Sequence, residues 1–149
     1  MNAKEYFEKL KQQVGTITPT KTTYFLLENV IQSLEISNDE DVIQFVQIIK
    51  DPLYDGLAVE SFLACKGFIH DIIIGVESLR YNTVPLNSVR RIAFHTSSTK
   101  SDTPPIVLYS VQLQINYGSD QQVFHYNTSG EKFTELLSIK KQIIQLISK

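Results

Sequence analysis

Between residues 106 and 117, apolar side chains recur at every second position: Val107, Tyr109, Val111, Leu113, Ile115 and Tyr117, with Gln112, Gln114 and Asn116 between them. That period belongs to a strand with one buried face and one face turned to water. Gly118-Ser119-Asp120 follows, a run of residues that tolerate positive φ or bond their own backbone, so the chain is expected to reverse into a second strand over residues 121–127. Thr128-Ser129-Gly130-Glu131 then reads as a Thr-x-x-Glu capping box. Beyond it Phe133, Leu136, Leu137, Ile143, Ile144 and Ile147 fall on one helical face, with Lys132, Glu135, Lys141, Gln142 and Gln145 largely elsewhere. An amphipathic helix covering the preceding hairpin, and part of the core, is the expectation.

At the other end, Tyr6, Phe7, Leu10 and Val14 have helical spacing over residues 3–14, and Gly15 is a plausible stop. Residues 16–22 are threonine-rich and broken by Pro19, a connection. Phe25, Leu26, Leu27, Val30, Ile31 and Leu34 form the apolar face of a second helix ending near residues 37–39. From there to residue 126, β-branched and aromatic residues dominate in runs separated by turn signals: 42–50, 57–66, 68–76, 78–86, 89–95, 106–117 and 121–127. Residues 39–50 admit a second reading, because Asp39-Glu40-Asp41 is also a helix-opening sequence. The polar stretch 96–105, ending in two prolines, is expected to be a mobile loop. The fold class predicted is α+β: about seven antiparallel strands in one bent sheet closed by a C-terminal helix and preceded by two N-terminal helices. The whole chain reads as one domain, with residues 1–38 the helical pair and 39–149 the sheet and last helix.

Composition narrows the class without assigning a function. A chain of 149 residues with 42% hydrophobic content suffices for one compact core. No apolar run approaches the roughly 20 residues a bilayer span needs, and Met1-Asn2-Ala3-Lys4-Glu5 does not open a signal-peptide core, so a soluble cytoplasmic protein is expected. The single cysteine, Cys65, lies among Phe62, Leu63 and Phe68, the setting of a buried, protonated, structural thiol. The formal net charge of −2 is uneven: residues 1–75 hold 6 basic and 11 acidic side chains, residues 76–149 hold 8 and 5. An anionic partner would therefore prefer the second half.

Candidate chemistry is sparse. His70, His95 and His125 stand 25 and 30 residues apart, which matches no compact metal-ligand spacing, and no metal is predicted. The chain has no His-Glu-x-x-His, glycine-rich phosphate loop or Gly-x-Ser-x-Gly elbow. Catalysis by Cys65 would need an electropositive, accessible thiolate, which its neighbours do not supply. The carboxylates read as solvated charge on helices and turns. No cofactor and no catalytic residue is expected. The best binding candidates are Arg80, Arg90 and Arg91 beside His95: one arginine of the pair would share a sheet face with Arg80 and hold a carboxylate or phosphate, against the alternative of a charged, aggregation-resistant edge. Nucleic acid is a poor fit, with net negative charge and few arginines.

About seven strands followed by one amphipathic helix is also the order of elements in pleckstrin-homology-like domains. The passage Val84-Pro85-Leu86-Asn87-Ser88-Val89-Arg90-Arg91-Ile92-Ala93-Phe94, the strands at 111–117 and 121–126 and the helix from Glu131 resemble the small bacterial versions of that fold. The resemblance covers roughly residues 42–149, and implies a strongly bent, barrel-like sheet plugged at one end by the helix. One departure matters for ligands. Phosphoinositide-binding members carry clustered Lys and Arg in the first strand pair, where this chain has Lys50-Asp51-Pro52-Leu53-Tyr54-Asp55, and an acidic turn opposes phosphate capture. The resulting expectation is a non-catalytic cytoplasmic domain that binds another macromolecule, a protein before a nucleic acid. The alternative is a small-molecule binder or small enzyme with a pocket between the sheet and the N-terminal helices. Oligomeric state is left open.

Overall fold

The computed structural model describes residues 1–98, 108–119 and 121–148. It contains three α-helices and seven strands in the order α1 (Ala3–Val14), α2 (Lys21–Leu34), β1 (Ile43–Lys50), β2 (Leu57–Cys65), β3 (Phe68–Gly75), β4 (Leu79–Pro85), β5 (Val89–Ser98), β6 (Leu108–Tyr117), β7 (Val123–Ser129) and α3 (Phe133–Ile147). The protein is α+β, as the sequence pattern indicates. Strand pairing sorts the seven strands into two antiparallel sheets, β1-β2-β3-β4 and β5-β6-β7, where the sequence suggested one closed sheet. The chain divides into two compact units, Met1–Val84 and Pro85–Lys149.

In the first unit, α1 starts at Asn2, whose side chain accepts from the Glu5 N–H at 2.9 Å. The N-terminus is also stitched to the segment entering β1: Ala3 N–H donates to Glu40 O and Val42 N–H to Met1 O. Those bonds hold Asp39 and Glu40 in a turn, and residues 43–50 continue as strand, so the third-helix reading of this segment is not realised. The connection before α2 ends in a true capping box that sequence reading passed over. The Thr20 hydroxyl accepts from the Thr23 N–H, the Thr23 hydroxyl accepts from the Thr20 N–H, and that same Thr23 hydroxyl donates to the Val76 carbonyl.

β2 runs between β1 and β3 with a continuous register, Phe45↔Phe62 and Ser61↔Ile72 among its pairs, and is buried on both faces after Leu57. One face carries Val59, Leu63, Cys65, Ile72 and Ile74 against Tyr6, Leu10, Val14, Leu27 and Val30 of the helices. Within that apolar layer the Tyr6 hydroxyl meets Ser61 Oγ at 2.6 Å, and burial holds its pKa above the usual tyrosine range. The other face carries Phe45, Gln47, Glu60, Phe62 and Asp71.

In the second unit, Val111, Leu113 and Ile115 of β6 are buried on the same sheet face as Phe124 and Tyr126, their cross-strand neighbours on β7. The opposite face bears an amide ladder, with Gln114 Nε2 donating to Gln112 Oε1 at 2.8 Å and Gln112 Nε2 to Asn127 Oδ1 at 2.6 Å. The alternation expected of this hairpin holds from Val111 through Ile115, while Tyr109, near the strand's start, is exposed. Two expectations are corrected here. Thr128 does not cap a helix, because it pairs with Val111 as part of β7; a 3₁₀ turn over Gly130–Lys132 leads into α3, with no side-chain cap. The apolar face of α3 is also rotated: Leu136, Ile139 and Ile143 are buried, whereas Leu137, Ile144 and Ile147 are 43, 46 and 40% exposed. Phe133 contributes an edge-on ring contact to Phe94 with centroids 5.5 Å apart. Of the stretch 96–105, Thr96 to Ser98 belong to β5, and residues 99–105 lie outside the described residues.

Candidate functional site

The β3–β4 hairpin brings together the chemistry that sequence reading did not. Gly75 N–H donates to Ser78 O at 2.9 Å, closing a short turn, and period-two alternation from there puts His70, Ile72 and Ile74 on the helix-facing side of the sheet with Leu79, Tyr81 and Thr83. His70 Nδ1 lies 2.9 Å from Thr83 Oγ1 and 3.3 Å from the Tyr81 hydroxyl. The imidazole is 8% exposed, and burial lowers its pKa below the ordinary value of 6.5, so at neutral pH it is uncharged. Among the described residues nothing bonds Nε2.

These groups line a cavity of about 340 Å³ between the end of α2 and the β2–β4 part of the sheet. Its apolar wall is Leu34, Ile36, Cys65 and Phe68, with Phe68 45% exposed. Phe68 and His70 have ring centroids 6.4 Å apart, and Tyr81 meets the imidazole edge-on at 5.9 Å. Two backbone features set the rim: Glu35, which ends α2, and Lys66, in the β2–β3 turn before Gly67, both adopt the left-handed conformation with φ 51°. The Lys66 ammonium pairs with Glu40 at 3.3 Å. Cys65 is free and buried; burial and the nearby Glu40 raise its pKa while Lys66 lowers it, so the thiol is a wall and not a nucleophile.

Two larger cavities in the same unit are less suited to a ligand. One of about 590 Å³ lies between α1 and α2, and its charged lining, Lys4, Glu8, Lys11 and Glu35, is exposed and therefore screened. Another, of about 490 Å³, is bordered by Asp51, Asp55 and Glu77 beside Tyr54. Asp51 accepts from the Leu53 and Tyr54 N–H groups and so shapes the β1–β2 connection, an acidic turn that opposes phosphate capture.

A second polar group occupies the other face of this sheet. Glu60, 8% exposed, accepts from Gln47 Nε2 at 2.8 Å. Burial pushes its pKa up from 4.5 to about 7; the Gln47 bond opposes that, the Asp71 charge adds to it and Arg80 opposes it.

The four arginine and histidine candidates are placed as follows. Arg80 lies on β4, half-buried, with Nη2 sequestered from water and without a hydrogen-bond partner. Arg90 sits at a bulge between the pairs Val89↔Tyr117 and Arg91↔Asn116. Arg91 and His95 are exposed on one face of β5, the face of Gln112 and Gln114, where His125 also lies. Arg80 thus belongs to the first unit and the other three to the second. Among the described residues no three His, Cys, Asp or Glu side chains are grouped to hold a metal ion, and no helix is long and apolar enough to cross a membrane. No protein-family model matches the chain, and neither does a curated protein or a solved structure.

Proposed function

We propose that the protein is a non-catalytic binding domain whose ligand is a small molecule held in the His70–Tyr81–Thr83 cavity. The observation that carries this reading is the convergence of three hydrogen-bonding side chains beside an apolar wall and a half-exposed aromatic ring, with the charged groups Glu35 and Lys66 at the rim. Such a site holds a compact apolar body and reads one polar group at its end. Its thiol, Cys65, is buried and held protonated, which does not suit it to act as a nucleophile. The test is a fragment screen followed by amide and ring chemical shifts. Ligands should perturb Phe68, His70, Tyr81 and Thr83 together; perturbation confined to other surfaces would reject the reading.

We further propose a pleckstrin-homology-like arrangement of bacterial type working in the cytoplasm; what supports its fold is the order of seven antiparallel strands followed by an amphipathic helix, with a helical pair before them. A second reading, docking of another protein, is favoured by one feature of the second unit. Leu137, Ile144 and Ile147 form an exposed apolar ridge on α3 next to Lys140 and Lys141, neither of which is ion-paired among the described residues. Pull-down with a Leu137→Glu, Ile144→Glu double variant as the control would separate specific capture from adhesion.

A further inference from the structure

The cavity's chemistry narrows what it would hold, an inference that rests on the small-molecule reading above. Two hydroxyls, those of Thr83 and Tyr81, approach the same ring nitrogen, His70 Nδ1. If Nδ1 carried the proton, both hydroxyl oxygens could accept it, but their own protons would find no acceptor among the described residues. If Nδ1 is bare, both hydroxyls point their protons at one acceptor. The second arrangement satisfies the trio, and it puts the ring proton on Nε2, for which the described residues supply no acceptor. The cavity therefore offers an N–H donor.

Shape and charge supply the rest. Phe68 presents a ring edge and face at the cavity wall, and His70 and Tyr81 continue the aromatic surface inward. At about 340 Å³ the space lies at the lower end of the range for ligand sites and suits a single ring. The one cation at the rim, Lys66, is already paired with Glu40, and Glu35 adds a negative charge at the same rim. A carboxylate would have no free counter-charge, and an ammonium, although it could meet Glu35 at the rim, would set its charge against the His70 N–H at the inner end. We infer that the cavity takes an uncharged, single-ring aromatic compound whose carbonyl or ring nitrogen accepts a hydrogen bond from His70 Nε2–H while the ring lies against Phe68.

Three probes of one size decide this: benzamide, benzoate and benzylamine, titrated at millimolar concentration into the full chain and followed by the His70 ring protons and the amides of Phe68 and Tyr81. Benzamide is expected to shift all three, with the two charged probes at least about ten-fold weaker because a buried charge would go unpaired. Phe68→Ala, at an exposed position where folding is little affected, should abolish the benzamide shifts at His70 while leaving the remaining spectrum in place. Benzoate or benzylamine binding as tightly as benzamide would overturn the ligand class and leave the cavity as a binding site. Benzamide shifts that survive Phe68→Ala would overturn it as well, by removing the ring contact. No response at His70 to any of the three would overturn the cavity reading itself.

Discussion

Gln47 and Glu60 face each other across the β1–β2 pair, and Gln47 Nε2 donates to Glu60 Oε1 over 2.8 Å on the sheet face that also carries Phe45, Phe62, Ala58, Ala64 and Asp71. An amide donor can serve either form of the carboxyl group. It offers no charge to balance an ionised one, so burial decides, and the proton is retained far above the ordinary range.

Folding stability should consequently fall as pH rises. Glu60 binds its proton more tightly folded than unfolded, so its contribution is complete below the unfolded pKa of 4.5 and lost as pH climbs through about 7. A rise of that size corresponds to about 3 kcal/mol. Urea unfolding midpoints across this range will show it, and Glu60→Gln, which keeps the bond and drops the charge, should flatten the slope and exceed the wild type in stability at about pH 8. An unchanged slope in the variant would place the titration elsewhere.

His70 acts with the opposite sign. Its folded pKa lies below the unfolded value of 6.5, so the unfolded chain takes the proton first and stability declines as pH drops below that value. The His70 ring protons should titrate below 6.5 by NMR. Thr83→Val, which deletes a hydroxyl partner of Nδ1 at a peripheral position, is expected to cost about 1 kcal/mol and to shift that titration. An unmoved His70 curve would show that the Thr83 bond does not form in solution.

The orientation of α3 is open to a direct comparison. Ile139→Ala and Leu136→Ala remove fully buried side chains and should each cost about 2–5 kcal/mol. Ile144→Ala, at a half-exposed position, should stay within about 1 kcal/mol. Equal losses in thermal or urea melts would mean that the helix presents both arcs to the core.

Gly130 is expected to tolerate no side chain. A Cβ there would fall on the Leu108 carbonyl of the adjoining strand, and backbone cannot step aside as a flexible side chain would. Gly130→Ala should destabilise by about 1–3 kcal/mol or more, read from its unfolding midpoint.

The strands were readable because alternation and turn residues are local signals: the expected runs at 42–50, 57–66, 68–76 and 78–86 differ from the observed strands by a residue or so at each end. The phase of α3 was not, because its apolar residues fill two adjacent arcs, and Leu136, Ile139 and Ile143 were distinguished from Leu137, Ile144 and Ile147 only by the sheet beneath them. The Thr128–Glu131 signature failed for a related reason: cross-strand pairing with Val111 claimed the threonine first. Arg80, Arg90, Arg91 and His95 stand out in the sequence by their charge and proximity, yet the fold divides them between its two units. The signal that would have found the cavity was the Gly75–Ser78 turn, which fixes the hairpin register and with it the meeting of His70 with Tyr81 and Thr83. Nothing in the linear pattern announces that α2 ends over them.

The double role of the Thr23 hydroxyl, taking the Thr20 N–H and giving its own proton to Val76 O, ties the first turn of α2 to the β3–β4 connection, with the Thr20 hydroxyl adding a longer contact to the same carbonyl at 3.4 Å. A helix end and a hairpin tip that would ordinarily fray on separate clocks are thereby made to open as one event. Amide protons at the start of α2 and around residues 75–78 should then exchange with a common rate, and Thr23→Val should split them into two populations. Because the same hairpin carries His70, Tyr81 and Thr83 farther along, the clasp sets how rigidly the cavity is offered to whatever enters it.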